Sequence, residues 1–183
     1  MTHEVLCAGF GGQGVLLIGR LVTYAGMLAG KEVSWMPAYG PEMRGGTASC
    51  SVIVSEEGVG SPVVTRPTAL VAMNKPSLDK FEPTVQPGGV VIVNKSLIED
   101  CGNRDDLNVY CVPLNELALE AGNVRYANMI ALGALIGATD MVSLDAVRDT
   151  LVKHFAEKPE VVEPNIEAVI RGMQFVIDKK KCQ

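Results

Sequence analysis

Two stretches of this chain carry residue types at spacings that could do chemistry, and both are rich in glycine. In the first, Gly9, Gly11 and Gly14 fit the pattern G-x-G-x-x-G, and Gly12 adds a fourth glycine. The run follows an apolar segment, Val5-Leu6, and leads into a long apolar helical pattern over residues 15–28. A strand, a tight turn and a helix in that order bring the backbone N–H groups of the helix start to one point. Together with the helix dipole they favour an anion there, usually a phosphate. A Cβ would block both the turn and the approach of a ligand, which is why glycine is needed. Gly11, Gly12, Gln13 and Gly14 are therefore candidate ligand contacts. The alternative is that the glycines only let the first helix pack tightly on the first strand. The usual dinucleotide site also wants an acidic residue at the end of the second strand, about 20 residues on. The expected second strand, residues 32–36, has none at its end, and Glu42 lies beyond a proline turn. That sets the NAD reading aside.

The second stretch is Met36-Pro-Ala-Tyr-Gly-Pro-Glu-Met-Arg-Gly-Gly-Thr47. Its two prolines and three glycines exclude regular structure for most of its length. It nevertheless carries an aromatic ring (Tyr39), a carboxylate (Glu42), a thioether (Met43) and a guanidinium (Arg44). Loops of this mixture at the carboxyl end of a strand line ligand crevices in α/β sheets. Arg44 followed by Gly45-Gly46 sets a charged fork beside exposed backbone donors, which suits a phosphate or a carboxylate. Tyr39, Glu42, Met43, Arg44, Gly45, Gly46 and Thr47 are candidate contacts. A rigid loop for subunit contact is the alternative, and the two do not exclude each other.

These stretches must be positioned by an α/β scaffold. Residues 48–55, 68–73, 90–93 and 108–112 read as strands, and residues 61–64 as a short edge segment. Helical patterns lie between and after them. Alternating strands and helices imply crossover units and a mostly parallel sheet flanked by helices. The last third is helical: 114–121, 127–138, 143–155 and a long amphipathic helix from 163. The pattern over 15–28 is apolar on nearly every side, so that helix should be covered on more than one face, by a second layer or by a partner chain. Asn128 is the one strong hydrogen-bonding side chain in the apolar run 127–138. A buried Asn needs partners, so it is either the centre of a network or a ligand contact. No repeat or linker interrupts the chain, and residues 1–183 are expected to form one domain.

The 183 residues carry a net charge of −5 with no broad basic excess, which argues against nucleic acid as a partner. The helical patterns are too short or too interrupted to span a bilayer, and no leader is apparent, so no membrane partner and a cytoplasmic location are expected. The five cysteines include no C-x-x-C pair. Neither a disulfide framework nor an iron–sulfur cluster bound by this chain alone is expected. Cys7, Cys50 and Cys111 read as small buried residues of strands. No catalytic triad order, nucleophile elbow, metal-ligand spacing or phosphate-loop lysine is present, and no catalytic or metal-binding residue is assigned. A chain with binding loops but no acid–base or redox group reads as part of a larger enzyme.

Gly11-Gly12-Gln13-Gly14-Val15 together with Tyr39-Gly40-Pro41-Glu42-Met43-Arg44-Gly45-Gly46-Thr47 resembles the gamma subunit of 2-oxoacid:ferredoxin oxidoreductases. Gln86-Pro87-Gly88-Gly89-Val90 and Ala127-Asn128-Met129 are similar to that family too. The loop form is most like the 2-oxoglutarate branch; branched-chain enzymes look similar and the pyruvate branch departs more. The resemblance implies a Rossmann-like domain packed on alpha and beta subunits that hold thiamine diphosphate. Iron–sulfur clusters would lie in the beta subunit or a small ferredoxin-like subunit, and ferredoxin would accept the electrons. It also implies coenzyme A contacts at the glycine turn, the loop around Glu42 and Arg44, and Asn128. A stand-alone nucleotide-binding protein of Rossmann type is the competing reading.

Overall fold

The computed structural model describes residues 1–39 and 47–181, the side chains of Tyr39 and Lys181 excepted. The strands are β1 (Thr2–Phe10), β2 (Glu32–Tyr39), β3 (Thr47–Ser55), β4 (Ala69–Ala72), β5 (Val90–Asn94) and β6 (Asn108–Val112). The helices are α1 (Val15–Leu28), α2 (Lys75–Phe81), α3 (Leu114–Glu120), α4 (Ala127–Thr139), α5 (Leu144–His154) and α6 (Val162–Lys181). Local chemistry sets several boundaries. Asn74 caps α2 by accepting from Ser77 N at 2.9 Å, and Ser143 caps α5 by accepting from Ala146 N at 3.2 Å.

The sheet order is β2-β3-β1-β4-β5-β6. β1, β4, β5 and β6 pair in parallel, while β3 is antiparallel to both β1 and β2. Five strands thus share one direction, as the alternation of elements implied, and β3 alone opposes them. The crossover through α1 places β2 one strand beyond β1, and β3 returns as a hairpin to fill the gap. β2 also runs three residues further than the sequence suggested, through Pro37 to Tyr39. It forms the sheet edge, where a residue without an N–H is tolerated. Residues 61–64, read as an edge segment, join no strand; β2 and β6 hold the two edges.

Both faces of the sheet are covered, and successive side chains alternate between two apolar layers. Val5, Cys7, Val52, Val71 and Ile92 face α1, α4, α5 and α6. Leu6, Leu70, Ala72, Val91 and Val93 face a thinner layer made by Leu78, Val85 and Ile98. The expectation for α1 is met in part. It packs on the sheet and on α4 and α5, but its last turn leaves Tyr24, Met27 and Leu28 exposed.

The cysteines correct one expectation. Cys7 and Cys50 are buried and directly opposed in the β1–β3 register. The Cys7 thiol is pushed well above its usual range by its hydrogen bond with Cys50 and by burial, so it is an inert core group. Cys111, however, is only half-buried and is disulfide-bonded to Cys101, with Cα atoms 6.0 Å apart. β6 is an edge strand, and the β5–β6 connection doubles back beside it, so two cysteines without a recognisable spacing meet.

α4 is buried almost all round and packs mainly on α6. Gly133 and Gly172 allow this. A Cβ at Gly133 would overlap the carbonyl of Val169, and one at Gly172 the carbonyl of Ile130. The obstacle is backbone in each case, so no side-chain rotation relieves it. Gly133→Ala is expected to cost about 3 kcal/mol or more, at the upper end of overpacking effects. Urea unfolding measures this, and a loss below about 1 kcal/mol would show that the helices can separate freely.

Candidate functional site

β1 ends at Phe10 and the chain turns at once, with Gln13 N donating to Phe10 O at 3.1 Å. Gly12 has φ +96° and Gly14 φ +76°. Both lie in the left-handed region where a Cβ is strained by about 1–2 kcal/mol. Gly14 is the N-cap of α1, and its carbonyl accepts from Leu17 N and Ile18 N at 3.1 Å. No side chain caps α1, and its first turn holds no acidic residue. The positive end of the helix dipole is therefore not neutralised by α1's own residues.

Gln13 ties this turn to the neighbouring strand. Its Oε1 accepts from Phe10 N at 2.6 Å and from Asn74 Nδ2 at 3.4 Å, and its Nε2 donates to Met73 O at 3.1 Å. Gly9 makes room for it, because a Cβ there would stand 2.6 Å from Gln13 Oε1 and 2.8 Å from Met73 Cβ. Both alternatives for the glycine turn thus have a physical basis here. Gly9 and Gln13 serve packing, whereas Gly12 has nothing within 4 Å of its Cβ position and stays open.

Beside the turn lies a cleft of about 400 Å³. Gly12 and Gln13 line it from the turn, Met73 from the end of β4, Asn115 from α3 and Asn128 from α4. Arg125 lines it from the short 3-10 turn Val124–Tyr126. The cleft sits outside the carboxyl ends of β1 and β4. From β1 the chain moves outward to β2, and from β4 it moves the other way to β5 and β6. A crevice where strand order reverses is the usual ligand position in an open α/β sheet.

Asn128 differs from its expected setting. It is half-buried rather than enclosed, and its carboxamide lies against Gly14, where a Cβ would overlap Nδ2. Among the described residues its side chain has no hydrogen-bond partner, and it borders the cleft. Asn94 Nδ2 donates to Asn115 Oδ1 at 3.2 Å and to Met73 O at 3.5 Å, continuing the line of carboxamides along the strand ends.

The two glycine-rich stretches root on the same edge of the sheet. Thr47 opens β3 directly opposite Phe10, the residue before Gly11, and Tyr39 closes β2 opposite Ala48. Glu42, Met43, Arg44, Gly45 and Gly46 lie outside the described residues. The sequence reading missed Arg125 and Asn115. Gly122 and Asn123 are the residue types of a turn and could have marked one after 114–121, but its proximity to the glycine turn depends on how α3 and α4 pack. A second cleft of about 450 Å³ is lined by Tyr24, Met27, Leu28, Thr150, Lys153 and His154. It is mostly apolar and contains no sequence-predicted site residue. Burial and nearby Arg20 hold the His154 imidazole below its ordinary pKa. Among the described residues no group of three or more His, Cys, Asp or Glu is placed to hold a metal ion, so they do not fit an iron–sulfur cluster. No described helix is long and apolar enough to cross a membrane.

A family model described as pyruvate ferredoxin/flavodoxin oxidoreductase matches residues 4–175. The chain belongs to that family. It is 42% identical over 174 residues to the ketoisovalerate oxidoreductase subunit VorA of Methanothermobacter marburgensis, a match covering 94% of this chain and 36% of that protein. It is 32% identical over 177 residues to the 2-oxoglutarate synthase subunit KorC of Methanocaldococcus jannaschii, covering 95% and 94%. A solved 2-oxoglutarate:ferredoxin oxidoreductase from Magnetococcus marinus, with 2-oxoglutarate, coenzyme A and succinyl-CoA bound, superposes with a TM-score of 0.88 at 25% identity. That match covers 97% of this chain and 31% of the Magnetococcus chain. The chain thus spans about a third of the VorA and Magnetococcus proteins (36% and 31%) and nearly all of KorC (94%).

The geometry separates the glycines of the turn. Gly12→Ala should cost only the left-handed backbone strain, about 1–2 kcal/mol. Gly14→Ala adds the overlap with Asn128 and should cost about 2–4 kcal/mol, part of which Gly14→Ala/Asn128→Ala restores. Denaturant titration of the three variants checks this; equal losses at Gly12 and Gly14 would contradict it.

Proposed function

We propose that this chain is the gamma subunit of a 2-oxoacid:ferredoxin oxidoreductase. Such an enzyme decarboxylates a 2-oxoacid oxidatively to an acyl-coenzyme A and reduces ferredoxin. In this reading thiamine diphosphate is held by alpha and beta subunits, and iron–sulfur clusters by the beta subunit or a small ferredoxin-like subunit. Residues 1–183 act as one domain of the cytoplasmic complex, contributing assembly and coenzyme A contacts. The observation that carries the reading is the donor-rich cleft at the reversal of strand order in a chain of this family. Its described lining offers the guanidinium of Arg125, carboxamides and an uncapped helix start, with no carboxylate to repel an anion. These groups suit binding and orientation, while the acid–base and electron-transfer chemistry belongs to the partners.

In the same proposal Gly11, Gly12, Gly14 and Asn128 contact coenzyme A, and Gln13 holds the turn in place. Tyr39, Glu42, Met43, Arg44, Gly45, Gly46 and Thr47 complete the proposed set of cofactor contacts. The form of that loop favours 2-oxoglutarate as substrate. A branched-chain 2-oxoacid is the second reading, favoured by the 42% identity to a ketoisovalerate oxidoreductase subunit.

Anaerobic purification through a tag on this chain tests the assignment. It should recover larger thiamine diphosphate and iron–sulfur subunits, and a colourless chain without them would overturn it. Turnover of the recovered complex should be fastest with 2-oxoglutarate; faster turnover of 3-methyl-2-oxobutanoate would move the assignment to the branched-chain class. In that complex Arg44→Ala should raise the KM for coenzyme A. Lost assembly with an unchanged KM would place Arg44 in subunit contact instead.

A further inference from the structure

The connection between β5 and β6 leaves the sheet at Asn94 and folds back so that Cys101 meets Cys111 of β6, their Cα atoms 6.0 Å apart. That spacing lets a disulfide form without moving the backbone. Contacts that involve no sulfur hold the connection there. Ile98 is buried in the thinner apolar layer. Gly102, at φ +115°, lies so close to Glu82 that a Cβ would overlap its Oε1. The same Oε1 accepts from Asn103 N at 3.0 Å. Arg104 Nη1 donates to the carbonyls of Glu82 and Val85, at 3.1 Å and 2.7 Å, and the guanidinium pairs with Asp106. The two sulfurs are reachable from outside, since Cys101 and Cys111 are half-buried and line a surface cleft of about 350 Å³. Cys7 and Cys50 give the contrast: they also face each other across a strand pair, but they are buried and free.

We propose that Cys101 and Cys111 are a reversible thiol–disulfide exchange site, which takes a dithiol as its reductant and fastens the open edge of the sheet when oxidised. The proposal is independent of the coenzyme A reading. In the opening direction a thiolate of the dithiol attacks one of the two sulfurs, forms a mixed disulfide and releases the other cysteine as a thiolate. The second thiolate of the dithiol then attacks the mixed bond, closes its own disulfide and releases the remaining cysteine. Two electrons pass to the protein, and two protons from the dithiol end on its thiols. The oxidised form of the same reagent runs the sequence backwards. Accessible disulfides exchange in this way, while enclosed ones resist it. The hydrogen bonds of Asn103 and Arg104 keep the opened thiols side by side, so closing the bond again orders little chain. What the bond changes is the hold on β6. That strand has a neighbour on one side only, and the bond ties it to the connection across 10 positions of sequence. Oxidised, the edge is fastened covalently; reduced, it is held by hydrogen bonds and packing alone.

The test uses the native protein recovered through a tag on this chain, with whatever partners it brings. It is equilibrated anaerobically in graded mixtures of reduced and oxidised dithiothreitol, quenched in acid, alkylated and read by peptide mass. Cys101 and Cys111 should open and close together, as one two-electron couple, and the titration should retrace itself in both directions. Cys7 and Cys50 should stay as thiols throughout. Thioredoxin with its reductase, in place of dithiothreitol, should open the bond as well; opening by dithiothreitol alone supports exchange with small thiols as the source. Amide hydrogen exchange reads the fastening: amides of β6 should exchange about tenfold faster in the reduced form. Cys101→Ser should show the faster exchange under both conditions, and its helices and remaining strands should match the parent. Three results would overturn the proposal. The two thiols could stay open in fully oxidised dithiothreitol. The bond could resist the dithiol until the protein unfolds, which would make it a permanent staple. Or β6 could exchange equally in the two forms, which would leave the bond with no hold on the edge.

Discussion

One carboxamide holds the carboxyl edge of this sheet together. Parallel neighbours such as β1 and β4 share a ladder only as far as their regular pairing runs, which here ends at Ala8 and Ala72. Beyond that point the facing sides of β1 and of the chain after β4 carry polar backbone groups that the β1–β4 ladder does not pair. Gln13 satisfies two of them at once, the N–H of Phe10 and the carbonyl of Met73. Each such hydrogen bond contributes about 0.5–1.5 kcal/mol net, so this bridge favours the turn in its present place. The turn in turn fixes where α1 begins, and the start of α1 forms one side of the cleft. Gly9 is the condition for the bridge, since any side chain there would occupy the space of the carboxamide.

The inserted β3 changes what the glycine turn has for company. In a plain doubly wound sheet β2 would lie against β1. Here β3 takes that place and brings its first residue, Thr47, opposite Phe10. Two stretches separated by more than a helix and a strand in sequence therefore start from the same edge. The sheet gains a second edge function without adding a domain.

Much of this scaffold was legible in the chain. The bounds of α1 followed from a continuous apolar run over 15–28 opened by glycine, and α5 lies within the helical pattern read over 143–155. The direction of β3 was not legible. Its central residues are buried on both faces, so its apolar run looks the same whether it runs parallel or antiparallel to its neighbours. The extension of β2 through Pro37 was hidden for a related reason: proline argues against a strand unless the strand is known to be an edge. The glycine turn and Asn128 could be found as candidates because each breaks the pattern around it. Arg125 breaks no pattern, since an arginine in a polar turn is ordinary. Only the packing of α3 against α4 gives it a cleft to border. Cys101 and Cys111 were similarly silent, being brought together by a connection that doubles back on β6.

The backbone contact between α4 and α6 has a mechanical consequence for the cleft. Gly133 and Gly172 lock the two helices in register, and a slide to the next compatible register would need a full turn, about 5.4 Å. Lys180 adds a clasp at the far end, its Nζ donating to Gly137 O and Ala138 O at 3.0 Å. Asn128, in the first turn of α4, therefore belongs to a stiff beam anchored along its length. The turn at Gly11–Gly14 is braced in its own way by the Gln13 bridge, and the connection that carries Arg125 is held by the hydrogen bonds of Asn123. The cleft thus stands between walls that are each braced from behind.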